Sequence, residues 1–250
     1  MSTRNVIVGA ADLFVSNGTG TARPDTTAGD LKTLFGTTTG TSARAGLLAS
    51  NKYREVGFTN TGLEVSYEPN YGEVMVDQLL DAARLFKQTL KVTMKTELTE
   101  ATLENLTLSW GQMDSYYVNN TGSTISNVST IVQETPVTSE QGATLNLAAG
   151  ALGDNPVERV IIAVGNAPMQ SGLSYTPAGS VVGNNTSDKR NKERVYVARR
   201  VVSIDTTAHG LKRDSATVFP VNFRCLPDDS KAAYAGAEYG VVIDRVWGTV

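Results

Sequence analysis

The sequence predicts a mainly β protein, a two-sheet β-sandwich or barrel with one short flanking α-helix and long loops. Three observations favour this fold class. Apolar side chains recur at every second position, Gly, Asn, Asp and Pro residues separate the alternating runs, and only one stretch has helical spacing. The run VIIAV at 160–164 is apolar throughout, which is typical of a strand buried on both faces. The predicted strands are 5–15, 54–58, 63–68, 73–78, 88–96, 143–147, 158–164, 194–204, 216–225 and 239–246.

Residues 63–78, LEVSYEPNYGEVMVDQ, alternate apolar and acidic side chains on both sides of a predicted turn at 69–72. Successive side chains of a strand point to opposite faces of the sheet. Two strands joined by this turn would therefore place four carboxylates on one face, namely Glu64, Glu68, Glu73 and Asp77. Such a face is either a catalytic or metal-binding surface or simply a solvent-exposed face of the sheet.

The segment 88–96 alternates in the same way, with Leu90, Val92 and Met94 on one face and Lys91, Thr93 and Lys95 on the other. Lys91 and Lys95 could pair with the carboxylates of the preceding hairpin. In the segment 216–225, the apolar residues Val221 and Phe223 alternate with Asn222 and Arg224.

The one predicted helix spans residues 98–111, LTEATLENLTLSWG. Thr99 is suited to the N-cap, and Gly111 is a natural end of the helix. Apolar side chains at spacings of three and four form one stripe, and these candidate packing or interface residues are Leu103, Leu106 and Trp110. The stripe packs either on the protein's own sheet or against another subunit.

Three long stretches rich in Gly, Thr, Asn and Ser separate the predicted elements of what we interpret as a single domain, 1–250. They span 17–50, 114–142 and 165–193, and the second, which could hold a weak hairpin, lies within the extended segment 112–158. Loops of this length are unusual in a compact domain unless they serve a function or are ordered by a partner. We expect at least one of them to contact a neighbouring molecule.

Composition disfavours several functional classes. With 22 basic and 25 acidic residues the formal net charge is −3, whereas a dedicated nucleic-acid binder normally has a basic excess. The single cysteine, Cys225, cannot form a disulfide framework and is expected in the core. The amino terminus lacks a signal-peptide layout, and no apolar run approaches the roughly 20 residues that span a bilayer. We therefore expect that the protein does not associate with a membrane and that it is assembled in a cytoplasm.

The sequence offers little catalytic chemistry. The single histidine, His209, precedes a glycine and is expected in a turn, and no G-x-S-x-G motif accompanies it. Asp228 and Asp229 could bind a cation, but an acidic turn between two strands explains them equally well. The hairpin carboxylates alternate with apolar residues and should point at water, whereas general acid–base catalysis usually needs a desolvated carboxyl group. We predict neither an enzyme nor a cofactor or metal site.

Four segments together resemble the major tail tube proteins of long-tailed bacteriophages. GFTNTGLEVSYEPNYGEVMVDQ and LKVTMKTELTEATLENLTLSWG are similar to the family's central strand pair and the strand that leads into its short helix. VIVGAADLFVSNGTGTARP is similar to its opening strand and loop. FPVNFRCLPDDSKAAYAGAEYGVVIDR is similar to its closing strand pair. The order and spacing of these segments, rather than any one motif, carry the resemblance.

The resemblance implies a tail tube fold whose copies form hexameric rings that stack into a channel for DNA delivery. It implies that 17–50 is the loop between rings, with Asp30, Leu34 and Phe35 as candidate contacts, and that the partners include the tape measure, distal tail and tail terminator proteins. Double-stranded DNA would pass through the lumen without specific binding. The hairpin carboxylates are the candidate lining of that lumen, since negative charge repels phosphates. The extra loops favour a noncontractile, siphovirus-type tail, with the virion as the location.

Other functions remain open at this stage. A carbohydrate-binding or adhesive β-sandwich would need exposed aromatic residues, for which Tyr116, Tyr117 and Tyr175 are the loop candidates. A hydrolase that uses the hairpin carboxylates would need one of them to have a raised pKa. A tube protein of a contractile tail or another injection system is the nearest structural alternative.

Overall fold

The protein is mainly β, as predicted. A computed structural model describes residues 11–16, 42–49, 52–75, 77, 83–112, 117–119, 143–145, 147, 152–153, 155–167, 192–204, 208, 210, 213, 216–230 and 236–246. The strands are β1 (Asp12–Ser16), β2 (Tyr53–Glu55), β3 (Glu64–Val74), β4 (Arg84–Leu98), β5 (Tyr117–Asn119), β6 (Ala143–Leu145), β7 (Arg159–Asn166), β8 (Lys192–Ser203), β9 (Phe219–Cys225) and β10 (Gly240–Val246). The helices are α1 (Ala43–Ala49) and α2 (Leu103–Ser109).

Eight of the described strands form one antiparallel sheet in the order β2-β1-β7-β8-β9-β4-β3, and β10 also pairs with β8. Residues 192–198 of β8 pair with β10, while residues 201–203 pair with β9. The sheet therefore divides at β8 into two branches. One branch contains β2, β1, β7 and β10, and the other contains β9, β4 and β3. β5 and β6 form a separate pair within the long segment 112–158.

The main core lies between the two branches, which gives the fold its sandwich-like layering. It contains buried side chains from β1, β4, β7, β8 and β9 together with Leu108 of α2. A second core lies on the outer face of the first branch, where Ala43 and Leu47 of α1 pack on β1, β7 and β8. β7 contributes to both cores, and its first six residues are buried. This confirms the prediction of a strand buried on both faces.

Two adjacent arginines hold the division of β8 in place. The register between β7 and β8 shifts there, with Ile161 opposite Ala198 but Arg159 opposite Val201, so β8 contains one extra residue. Such a bulge bends a strand. Arg199 is buried and donates to the Ala237 carbonyl just before β10.

Arg200 acts on the other branch. Its guanidinium donates to the carboxylate of Glu158 and, over 2.8 Å, to the Pro227 carbonyl just after β9. Its own carbonyl oxygen accepts from Leu226 N at 2.7 Å. The two arginines thus tie the start of β10 and the end of β9 to the same point of β8.

Both helices differ from the predictions. Residues 43–49 were expected in a loop but form α1, where Ser42 Oγ accepts from Ala45 N at 3.1 Å. The second helix begins later than predicted, because residues up to Leu98 belong to β4 and hydrogen-bond within the sheet. Its N-cap is Thr102, whose hydroxyl accepts from Asn105 N at 3.3 Å, so the assignment of Thr99 was wrong. The predicted end is confirmed by Gly111, which has φ of +63°.

Replacing Arg199 should destabilise the protein more than replacing Arg200. Arg199→Ala leaves a cavity at a fully buried position and removes the hydrogen bond from this side chain to the Ala237 carbonyl, so we expect the free energy of unfolding to fall by about 3 kcal/mol. Arg200→Ala removes a partly exposed ion pair and should cost about 1 kcal/mol. Denaturant unfolding of both variants measures the difference. Equal losses would contradict the role assigned to Arg199.

Candidate functional site

The β3–β4 hairpin extends beyond the rest of the sheet. Residues 92–95 of β4 pair with β3 on one side and β9 on the other, and residues 96–98 continue along β9. Within the described strands, residues 84–91 pair with β3 alone. β3 is the last strand in the sheet order, so its outer edge has no partner among the described strands. Nearly every residue from 64 to 74 and from 84 to 91 is exposed or half-buried. The far part of the hairpin thus offers two open faces and one open edge.

The predicted turn at 69–72 is wrong, because β3 runs through it as one strand from Glu64 to Val74. Proline is tolerated at the edge of a sheet, where its missing N–H removes no ladder bond, and Pro69 lies on such an edge opposite Leu90. Gly72 leaves room for its neighbours, since a Cβ there would lie 2.5 Å from Gln88 Nε2. The chain reverses only after Val74, whose carbonyl accepts from Ala83 N at 2.8 Å.

Because β3 is continuous, the four carboxylates do not share a face. Glu64 and Glu68 lie on one face, and Glu73 lies on the other. Asp77 follows the strand and is exposed. The structure therefore corrects the prediction of a single acidic face on this hairpin.

The face that carries Glu64 and Glu68 has mixed charge. Lys95 lies directly opposite Glu64, and Lys91 lies opposite Glu68. Opposite charges at such cross-strand positions attract one another. Arg224 of β9 is paired with Thr93 on the same face and is exposed, which adds a third cation. We call this surface of β3, β4 and β9 the polar face.

The other face of the hairpin turns toward the main core and is apolar near its base. Val65 lies opposite the buried Met94, and Tyr67 lies opposite Val92. Beyond Asn70 the register shifts, so that Gln88 is an extra residue in β4 and Lys87 comes to lie opposite Tyr71. The shift places Lys87 on the same face as Tyr67, where its ammonium donates to the phenol oxygen over 2.8 Å. This hydrogen bond raises the pKa of Lys87, so the ammonium remains charged.

Apolar side chains are concentrated at the far end of the hairpin. Tyr71 and Leu85 are 56% and 60% exposed, and Phe86 is 45% exposed. The positions 74 and 75, at the end of β3, are also exposed and apolar. We define the tip by these five residues: Tyr71, Val74, Met75, Leu85 and Phe86. Covering a tip of this composition with another surface would be favourable, because its apolar side chains would be removed from water.

A cleft of about 700 Å³ opens between the hairpin and β10, where the two branches separate. One wall is formed by the apolar hairpin face, and the other by β8, β10 and the residues just before β10. Cys225 lies in its lining, is buried as predicted, and has a pKa raised to about 11 by that burial. We define the cleft by six further residues: Val65, Tyr67, Leu90, Tyr196, Tyr239 and Val242. Lys87 and Glu238 add one charge of each sign to its lining.

A cluster of ionisable groups anchors α1 to the sheet. Glu193 of β8 is buried and accepts from Ala43 N at 2.9 Å, while Arg245 Nε lies 3.5 Å from the same carboxylate oxygen. Burial raises the pKa of Glu193 and outweighs the two favourable partners. Asp12 on β1 lies nearby, and burial likewise raises its pKa. Arg44 of α1 contacts Asp12 at 3.5 Å and Glu55 at 2.9 Å, which completes the charges around Glu193.

The apolar stripe of α2 is only half-buried. Leu103, Leu106 and Trp110 are intermediate in exposure, and Leu106 packs against the main core. The residue of the helix that enters the core is Leu108, which the predicted stripe omitted. Asn105 is also buried and donates to the Val56 carbonyl at 2.8 Å, so a polar residue fixes this helix to the sheet.

Asp228 is a buried turn residue whose carboxylate accepts from Ser230 N at 3.2 Å. Asp30, Leu34, Phe35 and His209 lie outside the described residues. Among the residues that the structure describes, no group of three His, Cys, Asp or Glu side chains could hold a metal ion.

No model of a known protein family and no curated protein matches this chain. None of the helices in the described part of the chain is both long enough and apolar enough to cross a membrane.

Glu193→Gln should change how stability depends on pH. The pKa of Glu193 is raised in the folded state, so its protonated form stabilises the fold at low pH, and that stabilisation is lost as pH rises through the folded pKa. We expect the Gln variant to gain stability relative to the parent as pH rises from about 4.5, the ordinary glutamate pKa, toward 7. Thermal unfolding at a series of pH values measures this change. The exposed variant Glu64→Gln is the control, and an identical response of the two variants would contradict the assignment.

Proposed function

We propose that this protein is the structural subunit of a phage-type tail tube, in which copies form rings and stacked rings enclose a channel for DNA. The observation that carries the proposal is the β3–β4 hairpin, with its two open faces, its open edge and its apolar tip. A protein that remained a monomer would expose this element to water permanently.

The outer edge of β3 favours assembly. An exposed edge of 11 residues presents unpaired N–H and C=O groups that can pair with another chain. Pro69 interrupts that edge at one position only. Closure of identical subunits into a ring covers the same edge in every copy, and it limits growth to a defined number of subunits. The hairpin is thus suited to an ordered assembly.

The resemblance to tail tube proteins supplies the particular architecture. It agrees with the mainly β fold and with a strand that leads into a short helix, which are β4 and α2. It differs in one respect, because the segment likened to the family's central strand pair forms the single strand β3. In the proposed assembly the rings are hexameric, the virion tail is the location, and the tape measure, distal tail and tail terminator proteins are the partners. The loop at 17–50 would contact the next ring through the part that precedes α1.

Mixed charge on the polar face suits the passage of DNA. A strongly basic lining would hold the duplex by releasing counterions from its phosphates. In the proposed tube the carboxylates of Glu64 and Glu68 offset two of the three cations of the polar face, which are Lys95, Lys91 and Arg224. The lining is therefore neither strongly basic nor purely acidic. The chain as a whole contributes 6 × (−3) = −18 formal charges to a hexamer.

Negative-stain electron microscopy tests the proposed assembly. We expect six-fold rings or tubes after the purified protein has been concentrated, because mass action favours contacts between hairpins at high concentration. Sedimentation of the same samples should show the corresponding rise in mass. A protein that remains monomeric at every concentration would contradict the proposal, and binding of that monomer to a glycan array would favour the adhesive β-sandwich.

Removing the carboxylates of the polar face should make tubes bind DNA. The double variant Glu64→Gln/Glu68→Gln removes the two carboxylates that lie directly opposite Lys95 and Lys91. We expect at least a tenfold gain in DNA affinity at about 50 mM salt, with a steep decline as salt increases. The matched control is Asp229→Asn, which removes an exposed carboxylate from the segment after β9. If the control gains as much affinity, the polar face does not line the channel.

A further inference from the structure

The tip and the cleft are complementary parts of the same chain. We propose that the tip of one copy inserts into the cleft of the next, so that the subunits associate head to tail; this inference rests on the proposed function and specifies the contact within it. Because tip and cleft are different surfaces, the contact is heterologous and propagates from copy to copy until a ring closes or a filament grows.

Apolar character and area support a second copy as the occupant. The cleft is lined mainly by apolar and aromatic side chains, and every member of the tip is at least 43% exposed. A buried aromatic residue covers roughly 150–250 Å². At roughly 150–200 Å² per side chain, the exposed parts of the five tip residues amount to roughly 400–500 Å². A stable interface buries about 800 Å² per partner, so the tip supplies about half, and the adjoining edge of β3 is available for the rest.

Charge complementarity fixes the orientation. Glu73 and Arg84 flank the tip on opposite faces of the hairpin, since Glu73 is paired with Leu85 and Arg84 with Val74. The two walls of the cleft carry Lys87 and Glu238, again of opposite sign. The pKa of Glu238 is lowered by hydrogen bonds from backbone N–H groups, which keeps its carboxylate charged. An inserted tip can therefore place Glu73 toward the Lys87 wall and Arg84 toward the Glu238 wall, and the reverse orientation would oppose like charges.

Cysteine cross-linking of the full chain tests the contact. The double variant Met75→Cys/Val242→Cys has one thiol on the tip and one on the β10 wall, where Val242 is 60% exposed. Under mild oxidation at pH 8 we expect a ladder of covalent oligomers up to six copies, whereas each single variant can give no more than dimers. The native Cys225 should not compete, because its buried thiol has a pKa of about 11 and forms little thiolate at this pH.

The matched control is Met75→Cys/Lys91→Cys, whose second thiol lies on the polar face. It should form dimers at most. If it produces the ladder, or if Met75→Cys/Val242→Cys does not, the proposed contact is overturned. Electron microscopy of the same samples separates the two hypotheses. Rings or tubes without the ladder overturn the contact alone, and the absence of both overturns the proposed function as well.

A charge placed in the tip provides a second readout. Phe86→Asp should lower self-association at least tenfold in sedimentation, because insertion would bury an unpaired carboxylate. An exposed substitution on the polar face, Lys91→Asp, should leave the head-to-tail contact within about threefold of the parent. Unchanged association of Phe86→Asp would overturn the inference. Specific binding of a glycan that Tyr196→Ala abolishes would also overturn it, because the cleft would then hold a small ligand.

Discussion

The division of β8 is the constraint on which the rest of the structure depends. β9 and β10 pair with the same edge of β8, so β8 has to change its partner part-way along that edge. The extra residue near Arg199 and Arg200 makes this change possible. The bulge removes regular ladder bonds, so the backbone on both sides needs other anchors. The two arginines provide them, one to each branch. A buried guanidinium is costly to desolvate, and its hydrogen bonds offset part of that cost.

The cleft and the free hairpin both follow from this division. β10 leaves the sheet on one side and β9 continues it on the other, so the space between the branches stays open at the hairpin. β4 is then supported by β9 only over residues 92–98, and the remainder of the β3–β4 hairpin extends outward. A closed barrel would have paired β10 with β3 and would have no such cleft. The arrangement that exposes the hairpin and its apolar tip thus also creates the cleft, which is another apolar surface, close to the base of the hairpin.

Alternation along each strand was the part of the structure that the sequence predicted well. Burial of Met94, Val221 and Phe223 and exposure of Lys95 and Arg224 follow directly from period two, because each of these strands has one face in the core. Prediction failed where a local preference was overridden. Pro-Asn-Tyr-Gly favours a turn, yet on an edge strand neither proline nor glycine loses a necessary hydrogen bond. The helix α1 was missed because its seven residues lie within a Gly- and Thr-rich sequence that was predicted as a loop, and its local signal is Ser42, whose hydroxyl accepts from Ala45 N.

The register between β3 and β4 could not be predicted from the sequence, for a physical reason. A bulge changes which residues share a face without any change in composition, and the extra residue at Gln88 is what brings Lys87 onto the face of Tyr67. The candidate site depends on the way in which β3 and β4 pair. Glu73 lies on the face opposite to Glu64 and Glu68, and these two carboxylates lie opposite lysines. The same pairing leaves apolar side chains on both faces of the far part of the hairpin. An acidic wall and an apolar tip with mixed charge require different partners. The first would repel phosphates, while the second is suited to another protein surface, and the structure contains such a surface in the same chain.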